Sequence, residues 1–153
     1  MKVLVVYASR SGNTERVARA VAAGLAPHNE VHVLSADAAA DQRGVDYDLL
    51  ILGAPTEIHA LRLLRMRGFL RTARANGFGH LPVAAFDTRY RGEPWVMGSA
   101  AAVIARRLER DGSLLAVDPE SFFIDPTTQR LASGEEARAR EWGGRLAAAP
   151  LPA

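Results

Sequence analysis

The chain of 153 residues has no cysteine, and Lys2 is its only lysine. The lack of cysteine excludes disulfides, zinc–thiolate sites and thiol nucleophiles, and it suits a reducing compartment. No apolar run approaches the roughly 18 residues that a membrane-spanning helix needs. The first apolar run, residues 2–8, is too short for a secretory signal and leads into a polar turn in place of a cleavage site. We therefore expect a cytoplasmic protein that does not span a membrane.

Acidic residues are absent between Glu57 and Asp87, although the net charge of the whole chain is only +2. The arginines of this segment are Arg62, Arg65, Arg67, Arg71 and Arg74. Two interpretations are open, a solvated basic face or a docking surface for an anionic partner or substrate. Nucleic-acid binding is not expected, because the only interleaved aromatic residue is Phe69 and no nucleic-acid-binding motif is present.

Short apolar runs alternate with helical patterns along the chain. Strands are predicted at residues 2–8, 30–35, 49–54 and 81–87, followed by a split fifth strand at residues 113–117 and 121–124. Helices are predicted at residues 14–25, 61–75, 99–110 and 134–146, and a short, weakly patterned crossover at 36–45. Near-continuous apolar runs of this length are typical of parallel strands that are covered on both faces.

This alternation predicts an α/β fold, a three-layer doubly wound sandwich with a five-stranded parallel sheet of order 2-1-3-4-5. Residues 1–149 are predicted to form a single domain, and residues 150–153 a tail. In this strand order the direction in which successive strands are added to the sheet reverses between strands 1 and 3. Ligands bind outside the carboxyl ends of the strands at that point.

The sequence "SRSGNT" lies at that point, between the first strand and the first helix. It has no lysine for a Walker loop, and its single glycine does not make a dinucleotide fingerprint. Hydroxyl and amide side chains at a helix N-terminus can instead wrap one terminal phosphate, and Gly12 permits a left-handed backbone angle. The side chains with this capacity are those of Ser9, Ser11, Asn13 and Thr14. A simple helix cap is the alternative, but one cap needs only one such side chain.

The stretch "VVYASRSGNTERVARAV" resembles the phosphate-loop signature of the flavodoxin family. The matching positions are Val6, Tyr7, Ser9, Gly12, Thr14, Ala18 and Val21. The resemblance extends over essentially the whole chain and is to the short-chain type. The stretches "FDTR", "GSAA" and "ARAREWGGRL" are similar to stand-alone flavodoxin-domain proteins of GC-rich bacteria. The resemblance implies an FMN-binding flavoprotein that functions in electron transport.

The resemblance also implies which residues bind the flavin. The phosphate loop would contribute Ser9, Arg10, Ser11, Gly12, Asn13 and Thr14. The loop after the third strand would contribute Ala54, Pro55, Thr56, Glu57, Ile58 and His59. The loop after the fourth strand would contribute Asp87, Thr88, Arg89, Tyr90 and Trp95. Two interpretations are open for each aromatic residue of this loop: Tyr90 stacks on the ring or makes a surface or partner contact, and Trp95 stacks on the ring or packs on the fourth helix. Asp87 is expected to fix its loop by hydrogen bonding.

No catalytic residue or metal site is predicted. His28 and His32 are four residues apart, but a strand at that position would separate them by about 13 Å. No Ser–His–Asp arrangement emerges, and the first turn lacks the carboxylates of a phosphoacceptor domain on the same topology.

Three functions remain open at this stage. The first is an FMN-bound carrier that exchanges electrons with a protein partner, either a reductase or an acceptor. The second is an FMN-dependent oxidoreductase acting on a small substrate such as a quinone or porphyrinogen, and the third is a binding module without flavin. Four arginines are expected near the flavin, namely Arg10, Arg62, Arg89 and Arg91. They predict a reduction potential well above that of acidic flavodoxins, since positive charge favours a reduced anion.

Overall fold

A computed structural model of the chain describes residues 1–56, 64–92 and 98–152. Its strands form one parallel sheet in the order β2-β1-β3-β4-β5, and β6 also pairs with β4. The strands are β1 (Lys2–Tyr7), β2 (Glu30–Ser35), β3 (Leu49–Pro55), β4 (Pro82–Arg89), β5 (Leu114–Leu115) and β6 (Glu120–Phe123). The predicted fold class and strand order are confirmed.

Four α-helices are described, and they cover the two faces of the sheet. They are α1 (Asn13–Leu25), α2 (Leu64–Ala73), α3 (Ala100–Arg110) and α4 (Glu135–Ala148). Helices α2 and α3 pack on one face, against a core that includes Leu50, Leu52 and Ala85. Helices α1 and α4 pack on the other face, against a core that includes Ile51 and Phe86. Successive strand residues alternate between these two cores, as the pleat of a strand requires.

The apolar stripes predicted for the helices are buried. Val17, Val21 and Leu25 of α1 are all 0% exposed, and Trp142 and Leu146 of α4 are 4% and 0% exposed. The two helices approach closely, because a Cβ atom at Gly143 would lie 2.2 Å from the carbonyl oxygen of Val21. Leu151, in the segment expected to be a tail, is partly buried against this core.

The fifth strand position is occupied by two short segments, as the split apolar run predicts. The start of β4 pairs with β5 at Pro82 and Val83, and its end pairs with β6 from Phe86 onwards. Side chains of α4 shield the outer edge of β6. The backbone N–H of Phe123 donates to Oε2 of Glu135 at 2.7 Å, which satisfies a donor that an edge strand would otherwise leave open.

The boundaries differ from the sequence prediction mainly at β3 and β4. Ala54 and Pro55 belong to β3, where they pair with Asp87 and Thr88. Strand β4 continues to Arg89, because β6 pairs with its last four residues. Residues 36–45 contain no α-helix and form turns that lead into a 3₁₀ turn at Gly44–Asp46. Among the described residues, no helix is long and apolar enough to cross a membrane.

Candidate functional site

The loop between β1 and α1 lies at the carboxyl edge of the sheet, between the ends of β2 and β3. Gly12 precedes the helix in the left-handed conformation, with φ at 91°, and its N–H donates to Oγ of Ser9 at 3.0 Å. A Cβ atom at Gly12 would meet no atom within 4 Å, so the glycine is required by its backbone angle. Because Gly12 has no side chain, the first turn of α1 has no side-chain cap.

The side chain of Asn13, which was expected to bind the phosphate, is bonded to oxygens of the protein instead. Its side chain is buried, with the residue 6% exposed. Its Nδ2 donates to Oγ of Ser11 at 3.3 Å and to the carbonyl oxygen of Gln129 at 2.9 Å. An amide nitrogen has two hydrogens, and both are therefore engaged with the protein. The amide of Asn13 thus connects the phosphate loop to the loop that contains Gln129.

Thr14 also faces inward, and it is 2% exposed. Its hydroxyl lies 2.8 Å from the hydroxyl of Thr88, at the end of β4. Each hydroxyl has one hydrogen, so only one of the two donates in this pair. When Thr88 is the donor, the hydrogen of Thr14 is free for another acceptor. Ser11 and Arg10 are exposed at the mouth of the loop, and Ser9 is partly exposed.

The ends of β3 and β4 are joined to α3 through the carboxylate of Asp87, which is 0% exposed. Its Oδ2 accepts hydrogen bonds from the hydroxyl of Thr56 at 3.1 Å and the hydroxyl of Ser99 at 2.7 Å. The backbone N–H of Ala101 donates to the same oxygen at 3.1 Å. Thr56 in turn accepts from the N–H of Ala100 at 2.8 Å. Asp87 thus fixes the two loops by hydrogen bonding, in the role expected from the sequence.

Arg89 is not a loop residue, and its guanidinium is turned toward β6. Its Nε donates to Oγ of Ser121 at 3.0 Å, and its Nη1 donates to the carbonyl oxygen of Gly92 at 2.8 Å. Nε also lies 3.9 Å from Oδ1 of Asp87, and both side chains are buried. Arg91 lies over the ring of Phe123, with 4.4 Å between the guanidinium carbon and the ring centroid. Arg89 therefore belongs to β4 and not to the loop in which the sequence analysis placed it, whereas Arg91 does lie in that loop.

Tyr90 is the described aromatic residue at the start of the fourth-strand loop, and it is partly exposed. Its hydroxyl donates to Oε1 of Gln129. The remaining expected ligands lie outside the described residues: Glu57, Ile58, His59 and Trp95. Arg62 of the basic segment lies outside them as well.

Two residues that the sequence analysis did not select also lie at this edge. Gln129 contacts both Asn13 and Tyr90, and Arg130 shares a cavity with the phosphate loop. No signal in the sequence indicated them, because they follow β6 in a polar loop about 116 positions from Asn13.

The cavity beside the loop has a volume of about 330 Å³. It is lined by Ser11, Gly12, Asn13, Glu15, Arg16, Arg19, Gln129 and Arg130. The carboxylate of Glu15 accepts from Arg19 at 2.8 Å. Arg16 donates to Glu136 at 2.6 Å. Among the described residues Arg130 makes no ion pair, so the cavity has an excess of positive charge.

An ion-pair cluster on the α4 side of β6 joins Arg138 to Glu120 and Glu135. Burial by itself raises the pKa of Glu135. Hydrogen bonds from Arg138 and from the N–H of Phe123, with the charges of Arg138 and Arg91, outweigh it and hold the pKa below its ordinary value. Arg138 also lies 3.2 Å from Glu120. This cluster stabilises the edge strand next to the site.

Comparison with protein-family models finds no match, and comparison with curated proteins finds none either. Solved structures do match. A flavodoxin from the domain Archaea has 24% identity and a TM-score of 0.76, covering 97% of each chain. Oxidised Flavodoxin 1 from Bacillus cereus has 20% identity and a TM-score of 0.72, covering 95% of this chain and 97% of its own. A WrbA-like flavodoxin from Agrobacterium tumefaciens has 19% identity and a TM-score of 0.66, covering 96% and 95%. At these identities the likeness shows the fold, which is flavodoxin-like.

Proposed function

We propose that this chain of flavodoxin-like fold binds FMN at the carboxyl edge of its sheet and exchanges electrons with a protein partner. The flavin would supply the electron-accepting ring, and the protein would bind it, set its potential and offer a docking surface. We assign residues of the chain to flavin binding and to partner docking.

The phosphate loop carries the proposal. It combines a left-handed Gly12, a first helical turn without a side-chain cap and no carboxylate between residues 8 and 14. Backbone N–H groups at a helix N-terminus bind anions, and the helix dipole adds to the attraction. The residues at this loop therefore fit a single phosphate monoester.

We assign the phosphate to the N–H groups of the first turn and to the hydroxyls of Ser9 and Ser11. Asn13 would hold the loop in shape, because both its amide hydrogens are bound to protein oxygens. Thr14 would add a donor when Thr88 donates to it. Tyr90 would lie against the ring, a contact worth about 0.5–1.5 kcal/mol beyond its buried area. Ala54, Asp87 and Arg89 are buried, and we assign them to the support of the loops.

For the partner we propose an acidic protein that docks on α2. Arg67, Arg71 and Arg74 are exposed and follow one another at four- and three-residue spacing, so they share one side of the segment. None of the three makes an ion pair with a described residue. The helix follows the third-strand loop, which the resemblance assigns to the flavin ring. A basic surface on this helix would speed the encounter with an acidic partner at low salt.

FMN uptake is tested with purified protein by titrating FMN and riboflavin and following flavin fluorescence and absorbance. The wild type should bind FMN and bind riboflavin more weakly. Gly12→Ala should lower FMN affinity about tenfold or more, because the left-handed angle strains a residue with a Cβ atom. Gly68→Ala is the matched control, since a Cβ atom there also meets open space but at an ordinary helical angle. Equal affinity in the two variants would contradict the assignment.

The carrier function is tested by electron transfer with flavodoxin reductases over a range of salt concentrations. We expect Arg67→Glu with Arg71→Glu to slow transfer at low salt and to remove most of the salt dependence. Arg106→Glu with Arg110→Glu is the matched control on the exposed side of α3, near its far end. Turnover of NAD(P)H and quinone by the protein alone would favour the oxidoreductase, and failure to take up FMN would favour a binding module.

A further inference from the structure

The loop between β6 and α4 closes on itself beside the phosphate loop. Ile124 and Leu131 form an antiparallel bridge, and the N–H of Asp125 donates to the carbonyl oxygen of Arg130 at 2.8 Å. The N–H of Thr127 donates to Oδ1 of Asp125 at 2.7 Å. Residues 125–130 are thus held in a defined shape by their own hydrogen bonds.

Gln129 has the only positive φ among the described residues other than glycine, at 59°. A side chain with a Cβ atom is strained in this left-handed conformation, which persists where surrounding contacts hold it in place. Two hydrogen bonds to the neighbouring backbone hold Gln129 in this way. The N–H of Gln129 donates to the carbonyl oxygen of Asp125 at 2.9 Å, and Nε2 donates to that of Pro126 at 2.8 Å.

The same residue connects the two ends of the candidate site. Its carbonyl oxygen accepts from Nδ2 of Asn13 at 2.9 Å, and its Oε1 accepts from the hydroxyl of Tyr90. Because Nε2 of the Gln129 amide donates to Pro126, the other amide atom, Oε1, is the one that accepts from Tyr90. Asn13 belongs to the phosphate loop and Tyr90 to the loop assigned to the ring.

We infer that Gln129 is a positioning residue that joins these two ends, holding Tyr90 in place for the flavin ring while its backbone supports the phosphate loop. The inference rests on the proposed function, since it assumes that FMN lies along this edge. From a left-handed backbone, Gln129 presents its carbonyl to Asn13 and its side chain to Tyr90.

The test compares two variants that break the bond between Gln129 and Tyr90 with a control variant, all in the full chain. Gln129→Gly accepts the left-handed angle without strain and keeps the carbonyl, but it removes the side-chain bonds to Tyr90 and to Pro126. Tyr90→Phe removes the same bond from the other side. Thr127→Ala is the matched control, because only the backbone of Thr127 takes part in the loop's hydrogen bonds. Gln129→Asn, whose shorter amide also tolerates this angle, is the second variant if the glycine variant is poorly folded.

We expect Gln129→Gly and Tyr90→Phe each to lower FMN affinity about three- to tenfold, the range of one neutral hydrogen bond. The double variant should lose no more than Gln129→Gly alone, because that substitution already removes the bond to Tyr90. The visible circular dichroism of bound flavin should change in both, and Thr127→Ala should match the wild type.

Three results would contradict the inference, and one of them would also contradict the proposed function. A wild-type protein that binds FMN while both variants keep its affinity and spectrum overturns the inference alone. Independent, multiplying effects of the two substitutions would also overturn it. A wild-type protein that takes up no FMN overturns the proposed function, and this inference with it.

Discussion

Removal of the buried carboxylate of Asp87 is the perturbation whose outcome the structure defines best. The side chain is 0% exposed, and a single oxygen, Oδ2, accepts from Thr56, Ser99 and the N–H of Ala101. The other oxygen, Oδ1, has no hydrogen-bond partner among the described residues and faces Nε of Arg89 at 3.9 Å. Two substitutions separate hydrogen bonding from charge. Asp87→Ala removes both, and Asp87→Asn keeps an acceptor oxygen without the charge.

The expected magnitude follows from these contacts. A hydrogen bond to a charged acceptor contributes about 1.5–3 kcal/mol, and burial of the carboxylate offsets part of the three bonds. In Asp87→Ala the hydroxyls of Thr56 and Ser99 can turn to other acceptors, but the N–H of Ala101 cannot. We therefore expect a loss of about 3 kcal/mol in the free energy of unfolding. Asp87→Asn should lose about 1–2 kcal/mol, because a neutral acceptor holds the same donors more weakly.

Urea unfolding of the FMN-free variants at neutral pH measures these differences, with Ser99→Ala as a control. That control removes one donor and the cap of α3, where Oγ of Ser99 accepts from Ala102, and should lose about 1 kcal/mol. An Asp87→Ala variant within about 1 kcal/mol of the wild type would refute the reasoning, given the size of buried hydrogen-bond losses. An asparagine variant as unstable as the alanine one would refute the assignment of hydrogen bonding as the larger contribution.

Three further predictions concern the loop, the sheet edge and the flavin potential. Thr14→Val should lower the free energy of unfolding in urea by about 1 kcal/mol and weaken FMN binding, because it removes the hydroxyl that pairs with Thr88. Thr14→Ser should keep the wild-type stability and FMN affinity, and two variants that behave alike would count against the hydroxyl pair. The pKa of Glu135 is lower folded than unfolded, so its stabilisation is present above the unfolded pKa and is lost as pH falls through the folded one. Glu135→Gln should therefore cost stability at pH 7 and little at acid pH, and urea midpoints that fall equally at both would contradict this. Arg10→Glu should lower the potential of bound FMN by tens of millivolts in a redox titration, because a cation favours the reduced anion, with Arg110→Glu as the control. A wild-type potential as low as that of acidic flavodoxins would contradict the underlying prediction.

The correction at Arg89 changes the basis of that potential. The sequence placed Arg10 in the phosphate loop and Arg89 and Arg91 in the loop after the fourth strand, as charges near the flavin. Arg89 is instead buried beside Asp87, whose charge offsets it, and Arg91 lies on Phe123. Of the described arginines that the prediction invoked, Arg10 and Arg91 are exposed, and only Arg10 of these belongs to the phosphate loop.

The periodicity of apolar residues was sufficient to predict most strands and helices, because it determines which side chains a strand or helix can bury. The run at residues 30–35 became a strand with those bounds, and the stripe of Val17, Val21 and Leu25 became the buried side of α1. The left-handed backbone angle of Gly12 could likewise be predicted, because glycine in a polar turn before a helix permits an angle that few other residues adopt. Where a prediction was wrong, as at the end of β4, the cause was a partner strand that lies some 30 residues away in sequence.

The order of apolar runs and the composition of the first turn were enough to predict the parallel sheet and to propose a phosphate site at its carboxyl edge, since both follow from neighbours in sequence. Only the tertiary structure decided which polar groups of that site are free. The hydroxyl of Thr14 meets Thr88 across 74 positions, and the amide of Asn13 meets Gln129 across 116. A hydrogen bond between distant segments depends on how strands pair and loops close, and no spacing along the chain encodes it.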